Sequence, residues 1–185
     1  MFIIGFVLIF IAPLKVKATY NKTVKTLDRE TISFDVFEPK RTGVNKKAII
    51  LRHGIMSIKE MLKRYAVEFA AASFVAAPFD LREHGQSTRK LDRDLLTNDI
   101  NAIISYLNGR SDIGTKSIGY FGFSMGGFPG IQVVGEYTDF QCFIGAGTRL
   151  PQDKRRENST NVLNILMIVQ KFDKVIDSNE LKENL

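Results

Sequence analysis

The sequence predicts an α/β architecture: a doubly wound, mostly parallel sheet with helices on both faces. Three observations predict it. Short apolar runs of strand length alternate with longer stretches of helical period, the signature of βαβ units. Two of the runs, Ala48-Ile49-Ile50-Leu51 and Phe74 to Phe79, are apolar throughout, as strands covered on both faces are. The chemically distinctive residues, His53-Gly54, Asp80 to Ser87 and Gly122 to Gly127, each follow such a run, where the carboxyl edge of a parallel sheet gathers its sites.

Met1 to Leu14 is almost wholly apolar. It is shorter than the roughly 17–25 residues of a membrane span. It matches the length of a signal-peptide core, with Val16-Lys17-Ala18 offering a small residue for cleavage. The basic residues follow this run instead of preceding it, so a buried N-terminal segment stays open beside the signal or anchor reading. The expected organisation is a signal-like or anchor segment over 1–18 and one domain over 19–185. Secretion, or membrane association through residues 1–14, follows from the first reading, and a cytoplasmic location from the second.

Val24 to Leu27 and Thr31 to Phe37 read as strands around a turn at Asp28-Arg29-Glu30. In the second, Ile32, Phe34 and Val36 alternate with Ser33 and Asp35, which predicts one covered and one exposed face. After a polar loop and the Ala48–Leu51 strand, Ile58 to Ala72 has helical period, with Met61, Leu62, Tyr65, Phe69 and Ala72 at helix spacing. Phe74 to Phe79 is the next strand. Leu95 to Leu107 is the next helix, with Leu96, Ile100, Ile103, Ile104 and Leu107 on one face. Ser117 to Phe121 predicts a strand, Phe128 to Val134 a helix, and Phe140 to Ile144 and Val162 to Val169 two further strands.

The length of 185 residues suits one domain with a sizeable core. The net charge of +6 is scattered along the chain and not interleaved with aromatics, which argues against nucleic-acid binding. The single cysteine, Cys142, lies in an apolar run and reads as an inert thiol. With only His53 and His84, a multi-histidine metal site is improbable, and no cofactor or metal is expected. The expected partner is a small-molecule acyl substrate; the sequence leaves the oligomeric state open.

The run Gly122-Phe123-Ser124-Met125-Gly126-Gly127 carries the chemistry. A serine hydroxyl attacks poorly unless it is held clear of the backbone and given a base. A sharp strand-to-helix turn holds it clear, and the residues two before and two after must then be small, because a Cβ there would strike the neighbouring backbone. Gly122 and Gly126 occupy those positions. Met125 would present its N–H at the start of a helix, where negative charge is favoured. Pro129 and Gly130 are the poor fits, since both weaken the first turn of that helix. A glycine-rich turn that merely contains a serine is the alternative.

With these motifs in this order, the chain resembles the α/β-hydrolases. The elbow around Ser124 matches the family's nucleophile turn. His53-Gly54 resembles its oxyanion loop, which implies that Ile55 N–H pairs with Met125 N–H. Asp80, Arg82, His84, Gly85 and Ser87 resemble a loop of the branch containing serine aminopeptidases of the S33 type, esterases and monoacylglycerol lipases. Glu83 departs from that branch's usual glycine. Phe172-Asp173-Lys174 resembles the segment that carries the triad acid, which implies Asp173, although Gln170 stands where glycine is common. The implied reaction is acyl transfer: Ser124 attacks a carbonyl, the oxyanion sits between Ile55 and Met125, and Asp173 orients a histidine.

That histidine is missing from its expected place. The fold orders its triad serine, acid, histidine, and residues 174–185 contain none. His53 reads as structural, and His84 as a loop residue near the catalytic edge that is a poor candidate for a substitute base. The sequence therefore predicts either a serine hydrolase whose chain stops before its last strand, helix and histidine, or a non-catalytic hydrolase-fold binding protein. The short stretch between Gly147 and Val162 leaves no room for a large lid and favours small or soluble acyl substrates.

Overall fold

The computed structural model describes residues 15–41, 43–88, 90–136, 140–148 and 164–169. Its strands are β1 (Val16–Lys25), β2 (Thr31–Pro39), β3 (Lys46–Arg52), β4 (Phe74–Phe79), β5 (Ile113–Phe123), β6 (Phe140–Ala146) and β7 (Ile165–Ile168). Its α-helices are α1 (Lys63–Ala71), α2 (Leu96–Asn108) and α3 (Gly127–Glu136). The strands form one sheet in the order β1-β2-β4-β3-β5-β6-β7. β2 is antiparallel to both β1 and β4; all pairings from β4 through β3, β5 and β6 to β7 are parallel. This is the doubly wound, mostly parallel sheet that the sequence predicts.

Alternation along β3 divides the core in two. Ala48 and Ile50 join Ile100, Ile103, Leu107, Ile131 and Val134 on the side of α2 and α3. Ile49 and Leu51 join Leu62, Ala66 and Ala70 on the side of α1. Both faces are therefore covered by helices, and the apolar runs of β3 and β4 need no polar face.

Four local expectations are corrected. β1 runs from Val16 to Lys25, so the strand starts at Val16 and not at the expected Val24. Its sequence hides it: an edge strand keeps polar residues, and Asn21, at φ +54°, bulges out with its N–H on Asp35 Oδ1 at 2.8 Å. Leu27 is not in a strand but 85% exposed in the turn closed by the Thr26 N–H to Glu30 O bond. The face of β2 expected to be exposed is buried, with Ser33 at 0% and Asp35 at 4% exposure. The helix expected over 58–72 opens as a 3-10 turn (Lys59–Leu62) before α1, and Leu62, Ala66 and Ala70 form its buried stripe. Met61 and Tyr65 stay at the rim, because small alanines let α1 sit close to the sheet.

Among the described residues no helix is long and apolar enough to cross a membrane. Residues 1–14, and the segment 170–185 that bears Asp173 and the expected early stop, lie outside the described residues.

Candidate active site

Ser124 stands at the end of β5, in a 3-10 turn (Ser124–Gly126) that leads into α3. Its φ is +52°, a left-handed conformation that costs a non-glycine residue about 1–2 kcal/mol. The turn is tight on both sides. A Cβ on Gly122 would come within 2.6 Å of Gly127 N and 2.7 Å of Gly126 O. One on Gly126 would come within 2.5 Å of Arg52 O and 2.7 Å of His53 O. Each is backbone against backbone, so no side-chain rotation relieves it. The Ser124 side chain itself remains partly exposed.

Pro129 is the third residue of α3, where its missing N–H has no intrahelical acceptor to serve. Gly130 lies against Tyr120: a Cβ there would fall within 2.5 Å of the ring's Cζ, and the buried Tyr120 hydroxyl donates to Gly126 O at 2.8 Å. Position in the first turn thus accounts for Pro129, and packing against Tyr120 for Gly130.

The loop after β3 meets the elbow. A Cβ on Gly54 would reach 3.0 Å from Ser124 Cβ and 3.5 Å from its Oγ, so glycine is what lets this loop close on the serine. Ile55 follows, half exposed, and Met56 turns the chain with φ +59°. His53 is fully buried. Its Nε2 accepts the Leu81 N–H at 3.1 Å, which fixes the tautomer, and its Nδ1–H donates to Gly54 O at 2.7 Å. Burial, ahead of all other causes, pulls its pKa down to about 4, so the ring is neutral near pH 7.

The Asp80–Ser87 loop is a clamp. The Asp80 carboxylate accepts from Lys59 N at 2.8 Å, Lys59 Nζ at 2.9 Å and Gln86 N at 3.0 Å. Burial alone would lower the Lys59 pKa; the Asp80 carboxylate outweighs it and holds the ammonium charged. Gly85, at φ +54°, has no room for a Cβ against Asp80. Arg82 is fully buried, with Nη2 2.6 Å from Asp99 Oδ1 and Nη1 3.1 Å from Asp28 Oδ2. Burial would lower the Arg82 pKa; the two carboxylates raise it instead. His84 donates from Nδ1 to Arg82 O at 2.9 Å, and its ring centroid lies 5.3 Å from that of His53. Ser87 Oγ donates to Asp80 O at 2.8 Å and accepts from Ser33 N at 2.9 Å, which explains why Ser33 is buried. Glu83 adopts φ +64°, the conformation for which glycine is suited, and its carboxylate accepts the Leu91 N–H at 2.7 Å.

No protein-family model and no curated protein sequence matches this chain. Solved structures do. An esterase of Pyrococcus furiosus superposes with a TM-score of 0.75 at 19% identity, over 93% of this chain and 77% of the esterase. An alpha/beta hydrolase, GrgF, from a Penicillium species superposes with a TM-score of 0.63 at 17% identity, over 72% of this chain and 46% of that one. A hypothetical protein of Pseudomonas aeruginosa gives 0.67 at 22% identity, over 73% of this chain and 44% of that one. The chain has the α/β-hydrolase fold. It spans less than half the length of two of these three proteins.

Within the α/β-hydrolase fold, the structure brings together Ser124, Met125, Gly122, Gly126, Gly54 and the Ile55 turn. It ties His53, Asp80, Arg82 and His84 into the scaffold behind them. No hydrogen bond joins either histidine ring to Ser124 among the described residues. Asp173 lies outside the described residues, so its distance from Ser124 is not part of this geometry. Two cavities adjoin the elbow. One, of about 610 Å³, is lined by Met125, Phe128 and Pro129 together with Arg93, Asp94, Leu96 and Thr97. The other, of about 420 Å³, is lined by Phe121, Phe123, Tyr65, Ala146, Gly147, Ile168 and Val169. Among the described residues no three His, Cys, Asp or Glu side chains come together as a metal site. Burial raises the Cys142 pKa, in keeping with an unreactive thiol.

Sequence reading missed two buried cations. Lys59, the partner of Asp80, sits in a stretch of helical period with no motif around it. Arg52, fully buried, ends an apolar strand where an exposed side chain is the default.

Proposed function

We propose that this chain is a serine hydrolase that cleaves a carboxylic ester, thioester or small amide through an acyl-enzyme at Ser124. The observation that carries the reading is the left-handed Ser124, partly exposed between two glycines that backbone contacts keep free of a Cβ. Strain of this kind persists where the surrounding structure demands it, and functional sites are where it collects. Ile55 N–H and Met125 N–H are the proposed oxyanion donors, and Asp173 the proposed acid. The cavity at Met125 receives the substrate; its volume falls in the range of small-molecule sites. The esterase and hydrolase names of the structural neighbours support hydrolysis in general. The test is turnover of p-nitrophenyl acetate: activity abolished by Ser124→Ala supports the proposal, and activity unchanged by that substitution refutes it.

One observation favours a second reading, a hydrolase-fold protein that binds acyl ligands without turning them over. Both ring nitrogens of His53 are engaged within the scaffold, and no histidine among the described residues is hydrogen-bonded to Ser124. This reading predicts ligand binding, measured by calorimetry, with no covalent labelling of Ser124.

A further inference from the structure

Arg52 breaks a rule of protein interiors. It is fully buried, and its Nε, Nη1 and Nη2 have no hydrogen-bond acceptor among the described residues. A buried cation without an acceptor is costly, and an apolar side chain of the same length would fill the space at lower cost. Residues that break a local rule collect at functional sites.

Its surroundings point to the elbow. Strand alternation puts the Arg52 side chain with Ala48 and Ile50, on the side of the sheet where Tyr120 packs. In the parallel register of β3 and β5, Ile50 pairs with Tyr120 and Arg52 with Gly122, so Arg52 is the diagonal neighbour of Tyr120 on that face. Tyr120 is itself pinned, stacked on Phe143 at 5.8 Å with the rings 6° apart and pressed against Gly130. Its hydroxyl donates to Gly126 O at 2.8 Å. The main chain of Arg52 grips the same residue from below, since Arg52 O and His53 O leave no room for a Cβ on Gly126. Gly127 N–H, bonded to Ser124 O, closes the turn.

Resting on the proposed role of Ser124, we propose that Arg52 and Tyr120 form a buried brace that fixes the Ser124–Gly127 turn, so that the hydroxyl and the Met125 N–H are aimed at one acyl carbon. A positive charge beside the phenol polarises its O–H bond and strengthens the bond to Gly126 O. Neither side chain touches substrate; both are positioning residues.

The test compares Tyr120→Phe, Arg52→Met, Arg52→Lys and the Phe/Met double variant with the wild type. The first readout is the rate of labelling by a fluorophosphonate. Tyr120→Phe and Arg52→Met slow it by about 10- to 100-fold, the effect of a misplacement on the order of 1 Å. The double variant is no slower than the worse single one, and Arg52→Lys recovers part of the loss. Arg52→Met does not lower the urea midpoint, which separates the brace from a merely structural role. The second readout, amide hydrogen exchange at Met125, Gly126 and Gly127, needs no chemistry at Ser124: exchange accelerates in both single variants. Wild-type labelling rates with unchanged exchange overturn the brace, and so does slowing that tracks lost stability. A wild type that does not label at all overturns the role of Ser124 instead, and the exchange arm then still decides whether the brace exists.

Discussion

Gly126→Ala tests the steric logic of the elbow with a single methyl group. The new Cβ would lie 2.5 Å from Arg52 O and 2.7 Å from His53 O, against ordinary contact at about 3.4 Å, so the turn or β3 must move by roughly 0.7–0.9 Å. Both opposing atoms are backbone carbonyls at the end of a strand paired on both sides, and no flexible side chain can yield. Overpacking of this kind destabilises by about 1–3 kcal/mol. A displacement near 1 Å at the nucleophile lowers its reactivity by about 10²-fold. Urea unfolding reads the first effect and the fluorophosphonate labelling rate reads the second. Gly43→Ala is the control: a Cβ there meets nothing within 4 Å, so stability stays level or rises by about 0.4–1 kcal/mol. If Gly126→Ala unfolds within about 0.5 kcal/mol of wild type and labels at the wild-type rate, the reasoning fails.

Asp99→Ala leaves the buried Arg82 with the partly exposed Asp28 as its remaining carboxylate, and urea unfolding should register a loss of about 3 kcal/mol. Ser124→Gly relieves the left-handed strain that Ser124→Ala retains, so chemical denaturation should find the glycine variant more stable than the alanine one by up to about 1 kcal/mol. His53 has a folded pKa of about 4 against 6.5 for the free side chain, so the unfolded chain binds the extra proton between those values. Its contribution, on the order of 3 kcal/mol, is present above pH 6.5 and lost as pH falls toward 4. Unfolding free energies of wild type and His53→Gln across that window should differ in slope, and parallel curves would contradict the neutral-ring assignment.

The elbow and the strands beneath it were legible because their signals are local. Glycines at fixed offsets, a serine between them and an apolar run before them reflect sterics within one turn of chain. The Asp80–Ser87 loop was legible as a motif but not as a mechanism: only the fold brings Lys59, Asp99, Asp28 and Ser33 to its side chains. Glu83 shows the same limit from the other direction. The expected glycine reflects a positive φ, and Glu83 keeps that φ while its carboxylate binds Leu91 N–H. β1 was half hidden, because an edge strand with a bulge carries no apolar alternation for a period-2 reading to find. Arg52 was hidden altogether, since nothing local marks an arginine for burial.

The most direct measurement is peptide mapping by mass spectrometry after treating the protein with a fluorophosphonate. The account predicts one adduct, on Ser124, absent from Ser124→Ala. An adduct on any other residue, or no adduct on a folded wild-type chain, would contradict it.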